Sequence, residues 1–386
     1  MTGFAFRTTP ALEIGAGRVE ATGGLLARLG VSHAALVTDK GVRAAGLTAA
    51  AEASIEAGGI ALTILDDVTA DPPEATVLAI AEAAREAGAD GVIGLGGGSS
   101  LDTAKLVALL VGSGRPIAEA YGVDRATGPR LPLVLVPTTA GTGSEVTPIA
   151  IVTTGETEKT GVVTPLILPD AAILDAALTT GLPAPVTAAT GIDAMVHAIE
   201  AYTSKRLKNP ISDCLAREAL RLLGGNIRQA CAAPDDLGAR EAMLTGSALA
   251  GMAFANAPVA AVHALAYPLG GHYGIAHGHA NAMVLPHVLA FNRAEPTAEA
   301  AYAALAPIVF PALGDQDPRL LVDAFLADLA ALGPELGLPV RLSEAGIPRE
   351  AIGRLAADAM RQERLLVNNP RGLSEADARA IYEAAW

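Results

Sequence analysis

Cysteine is nearly absent. Cys214 and Cys231 are the only two in 386 residues and form no CxxC pair, so neither a disulfide framework nor a thiolate metal site is indicated. Aromatic residues are also scarce, at 3%. The 51% of hydrophobic residues is therefore mostly Ala, Leu, Val and Ile, which suits packed helices and buried parallel strands. Positive charge is the third shortage. Against 41 Asp and Glu stand 27 Lys and Arg, a net charge of -14. That balance argues against nucleic acid, whose phosphates need a basic footprint, and against anionic membranes. It leaves room for a phosphate-bearing cofactor, because a few backbone N–H groups at a helix start hold a phosphate whatever the net charge. No charge-free apolar run approaches the roughly 20 residues of a membrane span. The opening MTGFAFRTTP lacks a basic stretch followed by an apolar core, so no signal peptide is read and the cytoplasm is the expected location. No GxxxxGK[ST] occurs, which disfavours an ATP P-loop.

What is present falls into two halves. Short apolar runs alternate with Ala-rich helical stretches as far as residue 137. Strands are expected at 34–38, 60–65, 91–95 and 133–136, with helices at 43–57, at 74–87 and from about Leu101. Such alternation implies a mostly parallel sheet covered by helices on both faces. Prolines then break the chain at GLPAPVT (181–187). Beyond them long Ala/Leu-rich helices dominate, over 187–203, 211–230 and 239–255 among others. The length suits two domains, and the boundary is placed at 180–186. An α/β domain over 1–182 would precede an all-α domain over 183–386.

Two glycine-bearing segments follow strands in the first half. GLGGGSSLDTAK (94–105) reads as strand, turn and helix. Glycines there would let a pyrophosphate approach the backbone, with the helix start offering unpaired N–H groups, and Ser99 or Ser100 could cap the helix. A plain strand–helix turn has the same pattern. Asp39, ending the first central strand, could accept hydrogen bonds from ribose hydroxyls and would repel a 2′-phosphate, which favours NAD over NADP; a turn-capping Asp in TDKG is the alternative. PTTAGTGSEVT (137–147) follows the strand LVLV, and its Thr138, Thr139 and Thr142 hydroxyls could line a cofactor groove.

The second half gathers six of the seven histidines between 197 and 287. Asp193 and His197, spaced i to i+4, share one helix face about 5–6 Å apart at Cβ. His263, His272, His277, His279 and His287 follow. Any one of them could be an ordinary core or surface histidine; together with the DxxxH pair they read as a metal site. Carboxylate and imidazole without thiolate suit Fe(II), Zn, Mn, Co or Ni. Such an ion polarises an alcohol or carbonyl oxygen as a Lewis acid.

Taken together, GGGSSLDTAK (96–105), PTTAGTGSEVT (137–147), TAATGIDAMVHAIEAY (187–202), HALAYPLGG (263–271), AHGHANAMVLPHVLAFN (276–292) and NNPR (368–371) resemble the iron-containing (group III) alcohol dehydrogenases over nearly the whole chain. The resemblance implies an N-terminal dinucleotide-binding α/β domain, an all-α metal-binding catalytic domain, and an active site between them. It places the metal ligands on Asp193, His197, His263 and His277. Cofactor contacts fall on Asp39, Gly97, Gly98, Ser99, Asp102, Thr138, Thr139 and Thr142, with Lys159 near the nicotinamide ribose. NAD and a divalent ion, Fe(II) first and Zn second, are the implied cofactors. A small alcohol or its aldehyde is the implied partner, and a homodimer or larger homo-oligomer the implied assembly.

Three positions depart from the family pattern. Tyr267 stands where many members carry a further histidine that assists proton transfer. A phenol, with an ordinary pKa of about 10, is a poor relay, so His272 and His279 become candidate substitutes; Tyr267 and His272 are the expected catalytic pair. Asp71 replaces a frequent Asn, and Ala276 a frequent Pro. The expected reaction is metal-dependent hydride transfer between NAD(P) and a small alcohol. An oxo-acid reductase or hydroxyacid–oxoacid transhydrogenase is the nearest alternative. A lyase like dehydroquinate synthase would need basic residues for a phosphate, in which the ligand region is poor.

Overall fold

The computed structural model describes residues 3–155, 158–314 and 316–386. Arg7–Gly181 forms one compact unit. Leu182–Trp386, with residues 3–6, forms the other.

The first unit contains strands β1 (Leu12–Ile14), β2 (His33–Val37), β3 (Ala61–Leu65), β4 (Gly91–Gly96), β5 (Gly122–Val123), β6 (Leu133–Pro137), β7 (Ile149–Thr154), β8 (Glu158–Val163) and β9 (Ala171–Leu174). Its helices are α1 (Thr22–Arg28), α2 (Lys40–Ala44), α3 (Ala49–Ala57), α4 (Glu74–Glu86) and α5 (Gly98–Ser113). Six strands form one parallel sheet in the order β1-β9-β6-β4-β2-β3. Alternate side chains of the central strands enter two separate cores. Ala35, Val37, Val92 and Leu135 join Val77, Ile80 and Leu101 on one face. Ala34, Leu36, Ile93 and Val136 join Leu26, Ala51 and Ile55 on the other. Burial on both faces is why these strands read as continuous apolar runs.

After β2 the chain winds outward to β3, then returns to lay β4 on the opposite side of β2. The carboxyl ends of β2 and β4 therefore flank the point where the winding reverses, the crevice in which open α/β sheets bind ligands. Asp39 follows β2, and Gly96–Gly98 follows β4.

Several expectations are corrected. The helix expected over 43–57 is two helices, α2 and α3, separated at Gly46 with φ 73°. Helix α5 starts at Gly98 rather than near Leu101. Its N-cap is Gly97, so neither Ser99 nor Ser100 caps it. Helix propensity disfavours glycine at that start, and here the turn overrides it. The short β1 and β9, and a second sheet of order β5-β8-β7, lie outside the strands read from sequence.

The second unit is helical: α6 (Ala184–Thr203), α7 (Pro210–Ala232), α8 (Leu237–Asn256), α9 (Ala261–Tyr273), α10 (His277–Asn292), α11 (Pro296–Val309), α12 (Pro318–Glu335), α13 (Ile352–Met360), α14 (Glu363–Leu366) and α15 (Glu375–Ala385). The first three begin one to three residues before their expected starts for local reasons. Pro185 sits in the first turn of α6, where its missing N–H costs nothing. Asn209 and Ser212 form a capping box on α7, and Asp236 caps α8. Helix α6 packs against α7, α8 and α10 and is apolar around most of its circumference. Among the described residues no single helix is long and apolar enough to cross a membrane.

The turn after β4 depends on a residue without a side chain. Gly96 has φ 154°, and a Cβ there would lie 2.7 Å from Ser100 Cβ. Gly96→Ala is expected to lower unfolding free energy by about 1–3 kcal/mol. Urea unfolding followed by far-UV circular dichroism checks this, and an unchanged midpoint would contradict it.

Candidate active site

Helix α6 presents Asp193, His197 and Glu200 at i, i+4 and i+7, a single face. Helix α9 contributes His263 from its first turn. Helix α10 contributes His277, its first residue. One ligating atom from each of Asp193, His197, His263 and His277 lies within 4.8 Å of all the others. Asp193 Oδ1 is 3.6 Å from His277 Nε2 and 3.9 Å from His263 Nε2. The rings of His197 and His263 stack at 4.7 Å, and Phe254 of α8 covers the other face of His197 at 4.3 Å. Asp193 and His263 are each 2% exposed, whereas the His277 side chain is 32% exposed. Solvent therefore meets the cluster at His277.

The donor set fits one divalent ion of borderline softness. One carboxylate and three imidazoles suit iron(II) or zinc; Ca²⁺ would take six or more oxygens. Burial alone would push the Asp193 carboxyl pKa up. Attraction to His197, His277 and His263, with a hydrogen bond from Asn281, outweighs burial and holds it below the usual carboxylate value. The carboxylate would thus supply the anionic ligand that suits such an ion. Close approach of α10 to α6 requires Gly278, where a Cβ would overlap the carbonyl of Ala189.

Two residues absent from the sequence reading complete the surroundings. Asn281, one turn after His277, donates from Nδ2 to Asp193 Oδ1 at 2.6 Å. Glu200 accepts from His263 Nδ1 at 2.6 Å. Both carried a signal: Glu200 continues the Asp193–His197 face, and Asn281 lies at i+4 from His277.

The other histidines sit elsewhere. His272 is not in the cluster; its Nε2 is 2.7 Å from Asp358 Oδ2 on α13. His279 Nε2 bonds to Pro339 O. His287 has its imidazole pKa pushed down by burial and by Arg341. Tyr267, one turn after His263, tilts against His277 with ring centroids 5.8 Å apart.

In the first unit, the expected cofactor residues gather around the Gly96–Ser100 turn. Asp39 Oδ1 accepts from Val42 N at 2.9 Å, capping α2, while Oδ2 accepts from Ser100 Oγ at 3.3 Å. Capping and adjacency to the turn are thus combined in one carboxylate. A Cβ at Gly98 would lie 2.7 Å from Thr142 Cγ2, and one at Gly97 would lie 3.8 Å from Thr139. Thr138 N–H donates to Gly96 O at 2.9 Å. Ser99 Oγ accepts from Asp71 N at 3.2 Å, and Asp71 pairs with Lys159 at 2.6 Å. Asp102 turns inward. It accepts from Ser144 Oγ at 2.5 Å, Ile151 N at 2.9 Å and Lys105 Nζ at 3.4 Å, tying α5 to the threonine segment. Beneath that segment Lys105 and Glu145 are buried, and Glu145 Oε1 has no hydrogen-bond partner. Burial pushes the Glu145 carboxyl up to about 7.

A doubly wound sheet with a glycine turn at its switch point, and a helical unit in which one carboxylate and three imidazoles converge, point to the class of two-part oxidoreductases with a candidate metal centre. The sequence comparisons narrow this class. The family described as "Iron-containing alcohol dehydrogenase" matches residues 10–176, and "Fe-containing alcohol dehydrogenase family, C-terminal" matches 187–386. The chain is 42% identical to the long-chain-alcohol dehydrogenase 1 of Geobacillus thermodenitrificans, over 98% of this chain and 95% of that protein. It is 33% identical to the NAD-dependent methanol dehydrogenase of Bacillus methanolicus, over 98% and 99%. The crystal structure of a 1,3-propanediol oxidoreductase superposes with a TM-score of 0.95 at 34% identity, covering 100% of both chains. The chain belongs to the iron-containing alcohol dehydrogenase family and is an alcohol–aldehyde oxidoreductase.

Buried Glu145 generates a pH dependence. Its carboxyl holds a proton more tightly in the folded chain, at about 7, than at its ordinary 4.5. Unfolding therefore releases a proton between those values. The Glu145 contribution is most favourable below about pH 4.5 and is lost as pH rises through 7. Glu145→Gln should remove this loss, gaining up to about 3 kcal/mol over wild type between pH 5 and pH 8. Urea midpoints at the two pH values measure the gain, and parallel profiles would refute it.

Proposed function

We propose that the protein interconverts a small primary or secondary alcohol and its aldehyde or ketone, using NAD and a divalent ion held by Asp193, His197, His263 and His277. Iron(II) is the preferred ion, with zinc second. The carrying observation is the convergence of four ligating atoms from three helices within 4.8 Å of one another. The chemistry available is Lewis-acid polarisation of the substrate oxygen by the bound ion and hydride acceptance by the nicotinamide.

The remaining roles belong to the chain. Uncapped N–H groups at the start of α5, beside Gly97, Gly98 and Ser99, suit a pyrophosphate. The Asp39 carboxylate beside them suits ribose hydroxyls and opposes a 2′-phosphate, supporting NAD over NADP. Thr138, Thr139 and Thr142 would wall the groove, Lys159 would lie at the nicotinamide ribose, and Asp102 would hold the two segments together. Tyr267, next to the partly exposed His277, is the group placed to hydrogen-bond the substrate oxygen. His272, engaged by Asp358, would act on the site through α9 rather than at the reacting atoms. A homodimer or larger assembly in the cytoplasm belongs to the same proposal.

The test is to strip the purified protein with chelator and restore it with iron(II), zinc, manganese or nickel. Reduction of NAD and of NADP is then followed with short and long alcohols, diols and hydroxy acids. Activity should vanish on stripping, return with one ion, and be higher with NAD on alcohols. Full activity in protein shown to be metal-free would overturn the metal reading; preference for hydroxy acids would overturn the substrate class.

A further inference from the structure

The metal reading leaves Glu200 unassigned, yet its buried carboxylate makes three hydrogen-bond contacts. The side chain is 4% exposed and lies outside the set of four converging ligands. Its Oε2 accepts from Ala260 N at 2.9 Å, and its Oε1 from Val262 N at 2.7 Å. These N–H groups belong to the start of α9, whose own N-cap residue, Ala260, offers no side-chain acceptor. Glu200 therefore caps α9 from another helix, placing a negative charge at the positive end of its dipole. His263 is the third residue of α9. Its Nδ1 reaches Oε2 at 2.6 Å.

We infer that Glu200 is the positioning residue of the metal centre: one buried carboxylate fixes the start of α9 and holds the His263 proton on Nδ1, leaving the Nε2 lone pair facing Asp193. The inference rests on the proposed metal centre. A backbone N–H can only donate, so both carboxylate oxygens already serve as acceptors. An ionised carboxylate has no proton to give, so the third contact is made by an N–H, which puts the ring proton on Nδ1. Nε2, 3.9 Å from Asp193 Oδ1, then carries the lone pair, and Asn281 Nδ2, which can only donate, lies 3.4 Å from it. A carboxylate behind a ligating imidazole also raises the basicity of the ring and locks its orientation. The arrangement ties the backbone position of α9 to the tautomer of its ligand, so the two cannot vary independently.

The experiment uses the full-length protein, stripped of metal. Long-range ¹H–¹⁵N correlation spectra report the His263 tautomer, assigned by comparison with His263→Gln. Titration with Co(II) alone gives affinity. Wild type should show the Nδ1–H tautomer. Glu200→Ala should lose that preference and bind Co(II) about 10–100-fold more weakly. Glu200→Gln, whose amide oxygen still accepts, should keep the tautomer and lose less affinity. Wild-type His263 carrying its proton on Nε2, or a Glu200→Ala protein binding Co(II) as tightly as wild type, would overturn the inference. The wild-type spectrum alone decides the tautomer even where a variant fails to fold. Wild type that binds no Co(II) while showing the Nδ1–H tautomer would instead overturn the metal centre and leave the positioning of His263 standing.

Discussion

Asp193 is a carboxylate inside a helical core, and burial of such a charge costs several kcal/mol unless it is met by compensating groups. Those groups come from separate stretches of chain: His197 from its own helix, His263 from α9, His277 and Asn281 from α10. Each helix must therefore approach α6 within side-chain reach at one level. Gly278 permits the approach of α10, and the Glu200 carboxylate at the start of α9 holds that helix in place. Apolar burial around α6 supplies the bulk of the packing energy; the carboxylate decides which arrangement of the helices that energy stabilises.

The α/β unit meets a different requirement: two loops after different strands must stay in register. The hydrogen bonds of Asp102 to Ser144 and to Ile151 N, with Lys105 beneath, join the glycine turn to the threonine segment. The same network buries Glu145 without a partner for Oε1. A buried titratable group whose ionisation costs stability is consistent with a segment whose shape is held by internal polar contacts as well as apolar packing.

Much of this was legible in the sequence. Parallel strands buried on both faces announce themselves as apolar runs between helical periods, which located β2, β3, β4 and β6. The DxxxH spacing and the histidine cluster pointed to the four side chains that the structure brings together. What was missed is non-local. The short strands β1, β5 and β9, of two to four residues, exist because a neighbour pairs with them, and nothing in their own residues demands it. Glu200 looked like one more acid in an Ala-rich helix; its role appears only when the start of α9 is laid against it. His272 was a reasonable relay candidate by proximity in sequence, but nine residues from His263 it lies half a turn round α9 and meets Asp358 instead.

Asp39 carries a consequence for how cofactor choice can change. Its carboxylate terminates a strand, caps α2 and stands beside the glycine turn at once. Under the proposed cofactor geometry, removing its charge to admit a 2′-phosphate also disturbs a helix start. Among neutral replacements, Asn and Ser could still accept the Val42 N–H, while Ala or Val would leave it bare. The route from one dinucleotide to the other is thereby narrowed by folding before selectivity is reached. A drift in preference at this position would pass through a small set of side chains that retain an acceptor.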